Sequence, residues 1–395
     1  LTVLGKGVIY CIPARKAERA QDRNLKTREV LMFRPRVLVF ALLAVICVAA
    51  LAWVGCSERL DNLSGPQSVE SLRASTAPDP ARLQAVMAVQ DKHSTRLLAI
   101  DGVVGTATGL GSDGEVVIKV YTLRSGVPGI PESLEGVPVR VEVSGEIRAL
   151  AKPENPGKGG KDREKTPSGK DRWDRPVPIG ISVGNNRECV SGTIGCTVHK
   201  GAERFILSNN HVLAMENSGK VGDPIVQPGR YDNKPPCADK VDQDSIASLS
   251  EWVDIKFDGS FNTMDAAIAK SSELKCCTYT TTYGCPSSAW LNAEIGMAVQ
   301  KVGRTTGHTE GEVSGVNGDF VVGYSSGYAR FVNQIVVSGR KFLKSGDSGS
   351  LLVTVDDGNR PVGLLFAGNG SDLALANKIG PILSEFGVTV CDSDE

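Results

Sequence analysis

The chain has 395 residues, 44 Lys and Arg against 45 Asp and Glu, and a net charge of −1. That length permits two or three domains with a sizeable core, and the balanced charge, with basic residues not interleaved with aromatics, argues against nucleic acid as a partner. Forty-four glycines, 5% aromatic residues and many short β-branched runs suit an all-β fold with tight turns.

Residues 1–31 begin with Leu1, carry no signal character and are expected to precede the true start at Met32. Arg34 and Arg36 then lead into an uncharged apolar run from Val37 to Val54 that ends in Gly55-Cys56-Ser57, so 32–56 is predicted to be a secretory signal. Ala52-Trp53-Val54-Gly55-Cys56 approximates a bacterial lipobox, with Trp53 where leucine is usual, which makes Cys56 a candidate lipidation site. A single membrane anchor is the other reading, since 18 apolar residues stand at the lower edge of a span. Each option exports the remainder of the chain and leaves membrane attachment through the N-terminus open.

Residues 57–80 read as a linker. Asp79-Pro80 is an N-cap followed by a first helical residue, opening an amphipathic stretch through Leu83, Val86, Met87, Leu97 and Leu98. Strand patterns come next at Glu115–Thr122 and Val137–Val143, so 81–150 is expected to be a small α/β domain, either a propeptide or a binding or spacer module. Residues 151–176, rich in Pro, Gly, Lys and Asp, cannot bury a core and read as a flexible linker with exposed cleavage sites. Ile179-Gly-Ile-Ser-Val183 is expected to be the first strand of the domain spanning 177–391.

Seven cysteines lie beyond Cys56, and an oxidising compartment favours disulfides among them. Cys189 with Cys196 and Cys277 with Cys285 are candidate local pairs, the sequence leaves the connectivity open, and the odd number leaves one thiol over. No zinc-type Cys/His spacing appears, so neither metal nor cofactor is expected.

The chemistry concentrates in Lys344-Ser-Gly-Asp-Ser-Gly-Ser-Leu-Leu-Val353. A serine flanked by glycines ahead of an apolar strand lies on a tight turn, which can aim the Ser348 hydroxyl and the amides of Gly346 and Ser348 at one point. A serine hydroxyl is a poor nucleophile unless a base draws off its proton and a buried carboxylate orients that base. His211, after the strand Phe205–Leu207, and Asp265, at the head of Ala266-Ala-Ile-Ala269, are the candidates. Asp254 and Asp258 rival Asp265 but suit turn caps, and His93, His199 and His308 read as ordinary structural histidines.

The order His, Asp, Ser, together with Val302-Gly-Arg-Thr-Thr-Gly307, Gly311-Glu-Val313, Arg330-Phe-Val-Asn-Gln-Ile335, Pro361–Gly368 and Ala376–Leu383, resembles the trypsin/chymotrypsin-like serine peptidases, in particular a bacterial-type branch. The resemblance covers about Val177 to Val390. It implies two six-stranded β-barrels with the active site between them: an all-β double barrel preceded by the small α/β domain. It further implies His211 as general base, Asp265 as orienting carboxylate, Ser348 as nucleophile and the amides of Gly346 and Ser348 as oxyanion hole. Val212 stands where many secreted relatives carry a cysteine. The primary pocket is expected from Phe342 and Leu343 and from Phe366, Ala367 and Gly368, favouring hydrophobic or small side chains of a protein or peptide substrate. A non-catalytic binding or adhesin protein, or an esterase using the same triad, are the alternatives.

Overall fold

Asp79 caps the first helix as the sequence leads one to expect, its carboxylate accepting from Ala81 N at 3.1 Å with Pro80 in the first turn. Helix α1 (Pro80–Leu98) buries Val86, Gln90, Ser94 and Leu97, one face at helical spacing. The computed structural model describes residues 78–150, 167–280, 282–356 and 358–394, all within one unit of the fold. The signal at 32–56, with Cys56, and most of the 151–176 linker lie outside the described residues. Among the described residues no helix is long and apolar enough to cross a membrane.

Helix α1 covers a sheet of β1 (Val103–Leu110), β2 (Val116–Thr122), β3 (Ser133–Leu134) and β4 (Val137–Val143), closing a core of Val86, Leu97, Val103, Ile118, Val120 and Val139. The β2–β4 pair is parallel; β1 is antiparallel to β2. Strand β1 has no predicted counterpart. Its sequence Val-Val-Gly-Thr-Ala-Thr-Gly-Leu is buried on both faces, so the polar/apolar alternation that betrays a half-exposed strand is missing. After β4 comes the short β5 (Arg148–Ala149).

The expected strand 179–183 is instead two short strands, β6 (Val177–Ile179) and β7 (Ser182–Asn185). They break at Gly180, whose φ is +83° and where a β-carbon would lie 2.6 Å from Val302 Cγ1. The chain continues through β8 (Gly192–Thr193), β9 (Cys196–Lys200), β10 (Glu203–Ser208), the single-turn α2 (Asn210–Leu213), β11 (Pro224–Val226) and the single-turn α3 (Val241–Asp244). Then come β12 (Ser245–Trp252), β13 (Phe261–Asn262), β14 (Ala267–Lys270) and β15 (Leu274–Thr278). The second half holds β16 (Ala298–Gly303), β17 (Gly307–Gly323), β18 (Tyr328–Ser338), β19 (Leu351–Thr354), β20 (Pro361–Gly368), β21 (Leu373–Lys378), α4 (Ile379–Phe386) and β22 (Thr389–Val390).

These strands build the chymotrypsin-type double barrel. In the second barrel, β16, β17, β18, β21, β20 and β19 form a ring, closed by the β17–β18 and β16–β19 pairings. The first sheet runs β22-β9-β10-β14-β12-β11-β7-β8, eight members rather than six because two-residue strands sit at each end. Strand β22 returns the C-terminus to the first sheet by pairing with β9. Arg304, from the β16–β17 turn, ties the barrels together with a fork onto Asp232, its Nε 2.6 Å from Oδ2.

Disulfides join Cys277 to Cys285, as expected, but Cys189 pairs with Cys237 rather than Cys196, and Cys276 with Cys391. Sequence proximity misled here. Cys196 opens β9 and points into the barrel core, fully buried, whereas Cys189 lies in the loop facing Cys237.

The N-terminal module is not a separate sheet. Strand β1 pairs antiparallel with β17, Gly105 opposite Phe320 and Thr108 opposite Val316, so the second barrel's sheet runs on through β1, β2 and β4. Gln90 locks that junction. Its amide nitrogen donates to Thr106 Oγ1 (3.1 Å) and Asn317 O (2.8 Å), and its oxygen accepts from Thr108 Oγ1 at 2.7 Å. Gln90→Leu would strand those buried groups and is expected to cost about 3 kcal/mol of stability. Urea unfolding of both proteins checks this, and superimposable curves would show that the polar junction is dispensable.

Candidate active site

Strand β10 ends where α2 begins, and its pairing with β14, Ser208 opposite Ala267, brings the residue two before β14 beside the first turn of the helix. Those two residues are Asp265 and His211. The carboxylate is fully buried, its Oδ2 2.5 Å from His211 Nδ1 and its Oδ1 accepting from His211 N at 3.2 Å. Asn209 Nδ2 donates to Asp265 O (2.8 Å) and Asn377 Oδ1 accepts from Asp265 N (3.0 Å). With Nδ1 facing a carboxylate, the hydrogen-bond network assigns it the proton, leaving Nε2 as an acceptor. The rivals are turn residues: Asp254 accepts from Trp252 Nε1, and Asp258 from Ser260 N.

One partner escaped the sequence reading. Tyr324, in the β17–β18 turn, donates its hydroxyl to Asp265 Oδ2 at 2.8 Å and sets its ring edge-on to the imidazole, 5.8 Å between centroids. Burial, then the adjacent carboxylate, pushes its phenol well above the usual range, so it remains a donor. No local motif marks it. A tyrosine in Gly-Tyr-Ser-Ser-Gly reads as a turn residue until the barrels are docked.

Ser348 sits on the turn before β19. Gly346 and Gly349 take φ of +94° and +92° there, and β-carbons at these positions would lie 2.2 Å from Arg304 Nη1 and Ser208 Oγ. Thr193, on β8 of the first barrel, clamps the turn: its N donates to Ser348 O and its Oγ1 to Gly346 O, both at 2.8 Å. Asp347 points inward. It accepts from Thr305 N (2.8 Å), Thr306 N (3.1 Å), Thr306 Oγ1 (2.8 Å) and Lys344 N (2.9 Å), with Lys301 Nζ 3.5 Å away. Lys301 and Asp347 are both wholly buried. Burial pushes the Lys301 ammonium below its ordinary range while Asp347 pulls it back up.

The two halves of the site face each other across Gly192, where a β-carbon would lie 2.4 Å from Val212 Cγ2 and 3.1 Å from Ser348 O. Ser348 Oγ does not bond to the imidazole here. It donates to Phe366 O (3.2 Å) and accepts from Leu150 N (3.2 Å), while His211 Nε2 is buried with no hydrogen-bond partner among the described residues. The Gly346 amide donates to Leu150 O.

The expected pocket residues divide. Phe342 and Leu343 are buried in an apolar cluster that also holds Leu150. Phe366 and Ala367 belong to a neighbouring cluster, the Phe366 ring 4.8 Å from that of Phe331. Gly368 adjoins Leu343, whose Cδ2 would be 3.2 Å from a β-carbon there. Of the other histidines, His93 has Glu135 as its partner and His308 has Gln300.

Residues 251–390 match the family model described as the Nal1 C-terminal domain, a span that includes Asp265 and Ser348 and begins after His211. A stretch of 100 residues, 23% of this chain, is 38% identical to Protein NARROW LEAF 1 of Oryza sativa subsp. japonica and covers 16% of that protein's length. Among solved structures, the chain is similar to a glutamic acid-specific serine protease (20% identity, TM-score 0.39, covering 54% of this chain and all of that one). It is also similar to Thermobifida fusca Protease A (16% identity, TM-score 0.39, covering 55% of this chain and all of that one).

Breaking a buried ion pair by removing one partner leaves the other charge uncompensated. Lys301→Met is therefore expected to lower the unfolding free energy by about 3 kcal/mol. Denaturant titration measures it, and an unchanged midpoint would mean that the Asp347 carboxylate is held by its amide and hydroxyl donors alone.

Proposed function

We propose that this chain is an exported serine endopeptidase that cleaves peptide bonds through an acyl-enzyme, with His211 as base, Asp265 as its orienting carboxylate and Ser348 as nucleophile. The observation that carries the proposal is the buried Asp265–His211 contact at 2.5 Å, with the far imidazole nitrogen unpaired among the described residues and Gly192 packed between Val212, the residue after His211, and Ser348 O. That nitrogen is the atom a serine proton needs to reach. Rotation of the Ser348 hydroxyl away from Phe366 O frees it for that transfer. Gly346 N, which already donates to a backbone carbonyl, supplies one arm of the oxyanion hole and Ser348 N the other.

Asp265 orients the imidazole and stabilises the imidazolium that forms when the proton arrives. Tyr324 acts through Asp265 as a positioning residue, donating to the same carboxylate oxygen that faces the ring. Neither metal nor cofactor enters this chemistry. Three disulfides support an oxidising compartment, and hence export, with residues 32–56 as a cleaved signal, a lipoprotein signal ending at Cys56 or a membrane anchor. The module 81–150 is proposed as a pro-segment, since its last residues lie against Ser348.

Ser348→Ala is expected to abolish both fluorophosphonate labelling and hydrolysis of a peptide substrate, and Asp265→Asn to lower kcat by about 10³–10⁴-fold. Retention of peptide cleavage by Ser348→Ala would falsify the mechanism. Labelling of the wild type together with turnover of esters but never peptides would move the protein to the esterases, and no labelling to the binding proteins. Tyr324→Phe removes one hydrogen bond to a charged group, so kcat is expected to fall by about tenfold with KM nearly unchanged. A change confined to KM would show that Tyr324 shapes the substrate site instead.

A further inference from the structure

The end of the N-terminal module occupies the cleft as a peptide substrate would. Strand β5 pairs antiparallel with β20, Ala149 opposite Ala367 and Arg148 opposite Gly368. Leu150 then turns its carbonyl oxygen onto Gly346 N and its amide onto Ser348 Oγ, while its side chain is buried in the cluster of Phe342 and Leu343. Three residues earlier Ile147 is fully buried in the cluster of Tyr324, Phe331 and Phe366, and its carbonyl accepts from Gly323 N at 2.9 Å. Arg148, between them, is exposed. Asn369 Nδ2 holds the segment from its other end, on Ser144 O.

A chance linker contact has no reason to combine these features. A carbonyl on the oxyanion donor, backbone pairing along β20 beside the serine turn, and two buried apolar anchors are the requirements of a bound acyl segment. We infer that the chain is its own first substrate: the bond after Leu150 is the one the site cuts, and the primary pocket selects leucine or a similar apolar side chain. The inference rests on the peptidase reading and names its specificity and its regulation.

In that step Ser348 Oγ attacks the Leu150 carbonyl carbon. His211 Nε2 takes the hydroxyl proton and passes it to the departing nitrogen of Ala151. The resulting Leu150–Ser348 ester is hydrolysed by water, which restores the hydroxyl and leaves a Leu150 carboxylate. Burying two aliphatic side chains is worth about 1.5–3 kcal/mol each. The β1–β17 pairing holds the segment at a high effective concentration, so the cut end remains in the cleft as an inhibitor.

Purified full-length chain is incubated, then examined by intact mass, N-terminal sequencing and native size-exclusion chromatography. A new amino terminus at Ala151 is expected in the wild type and not in Ser348→Ala, with the severed N-terminal fragment co-eluting with the barrels. Leu150→Asp is expected to slow that cut by about 100-fold or more, because an unpaired charge is poorly tolerated in an apolar pocket. Leu150→Met is expected to preserve it. Fluorophosphonate labelling of Ser348 in each protein serves as the separate readout of folding and nucleophilicity. A cut after a lysine or arginine of 151–176 in the wild type, or a cut after residue 150 that is indifferent to Leu150→Asp, overturns the inference while the peptidase reading stands. Labelling without any cut also overturns it; absence of both labelling and cut in the wild type brings down the peptidase reading itself.

Discussion

The site depends on one buried carboxylate. Asp347 gathers two backbone amides from the β16–β17 turn, a threonine hydroxyl, the amide of Lys344 and the ammonium of Lys301 around its two oxygens. A carboxylate taken wholly out of water survives only with such partners. By drawing them inward it forces Gly346 into a left-handed conformation and turns the Gly346 amide outward toward the cleft. In this chain the countercharge comes from Lys301, an internal side chain on β16.

The same turn is also where the barrels meet. Thr193 of the first sheet holds two carbonyls of the turn, Arg304 of the second reaches Asp232 of the first, and Asn377 of β21 accepts the amide of Asp265. Tyr324 completes the crossing by donating from the second barrel to the carboxylate that orients a first-barrel histidine. Each contact is modest alone. Together they couple the orientation of His211 to the docking of two sheets that share no strand, so the geometry of the site reports on the packing of the whole.

The long β17 adds a second coupling. Its 17 residues serve the closed second barrel on one side and β1 on the other, which places the N-terminal module in the same hydrogen-bonded sheet as the strands lining the cleft. Gln90 and Asn317 fix the register of that seam from above, and the chain leaving β4 is then led along Gly323 and β20 to Ser348. The module read from its helix and strand patterns as a small α/β domain shares that sheet with the second barrel.

Much of this was legible in the residues. Asp79-Pro80 announces α1, the alternating valines announce β4, and Gly-Asp-Ser-Gly announces a turn, because each is a local preference of backbone conformation or of side-chain periodicity. The doubly buried β1 lacked alternation, the break at Gly180 depended on Val302 more than a hundred residues away, and Cys189 chose Cys237 over the nearer Cys196. Those outcomes depend on which faces are covered, and covering is a property of neighbours distant in the chain.

Residue types and their order alone singled out a histidine, a carboxylate and a serine as one candidate site on an all-β scaffold. They also determined that the serine lies on a turn only glycine permits. Only the docking of sheets decided that Tyr324 would reach Asp265, that Lys301 would neutralise Asp347, and that Leu150 would lie against Ser348. Hydrogen bonds and buried charges act over a few ångströms, and those ångströms exist only once strands far apart in the chain have been brought side by side.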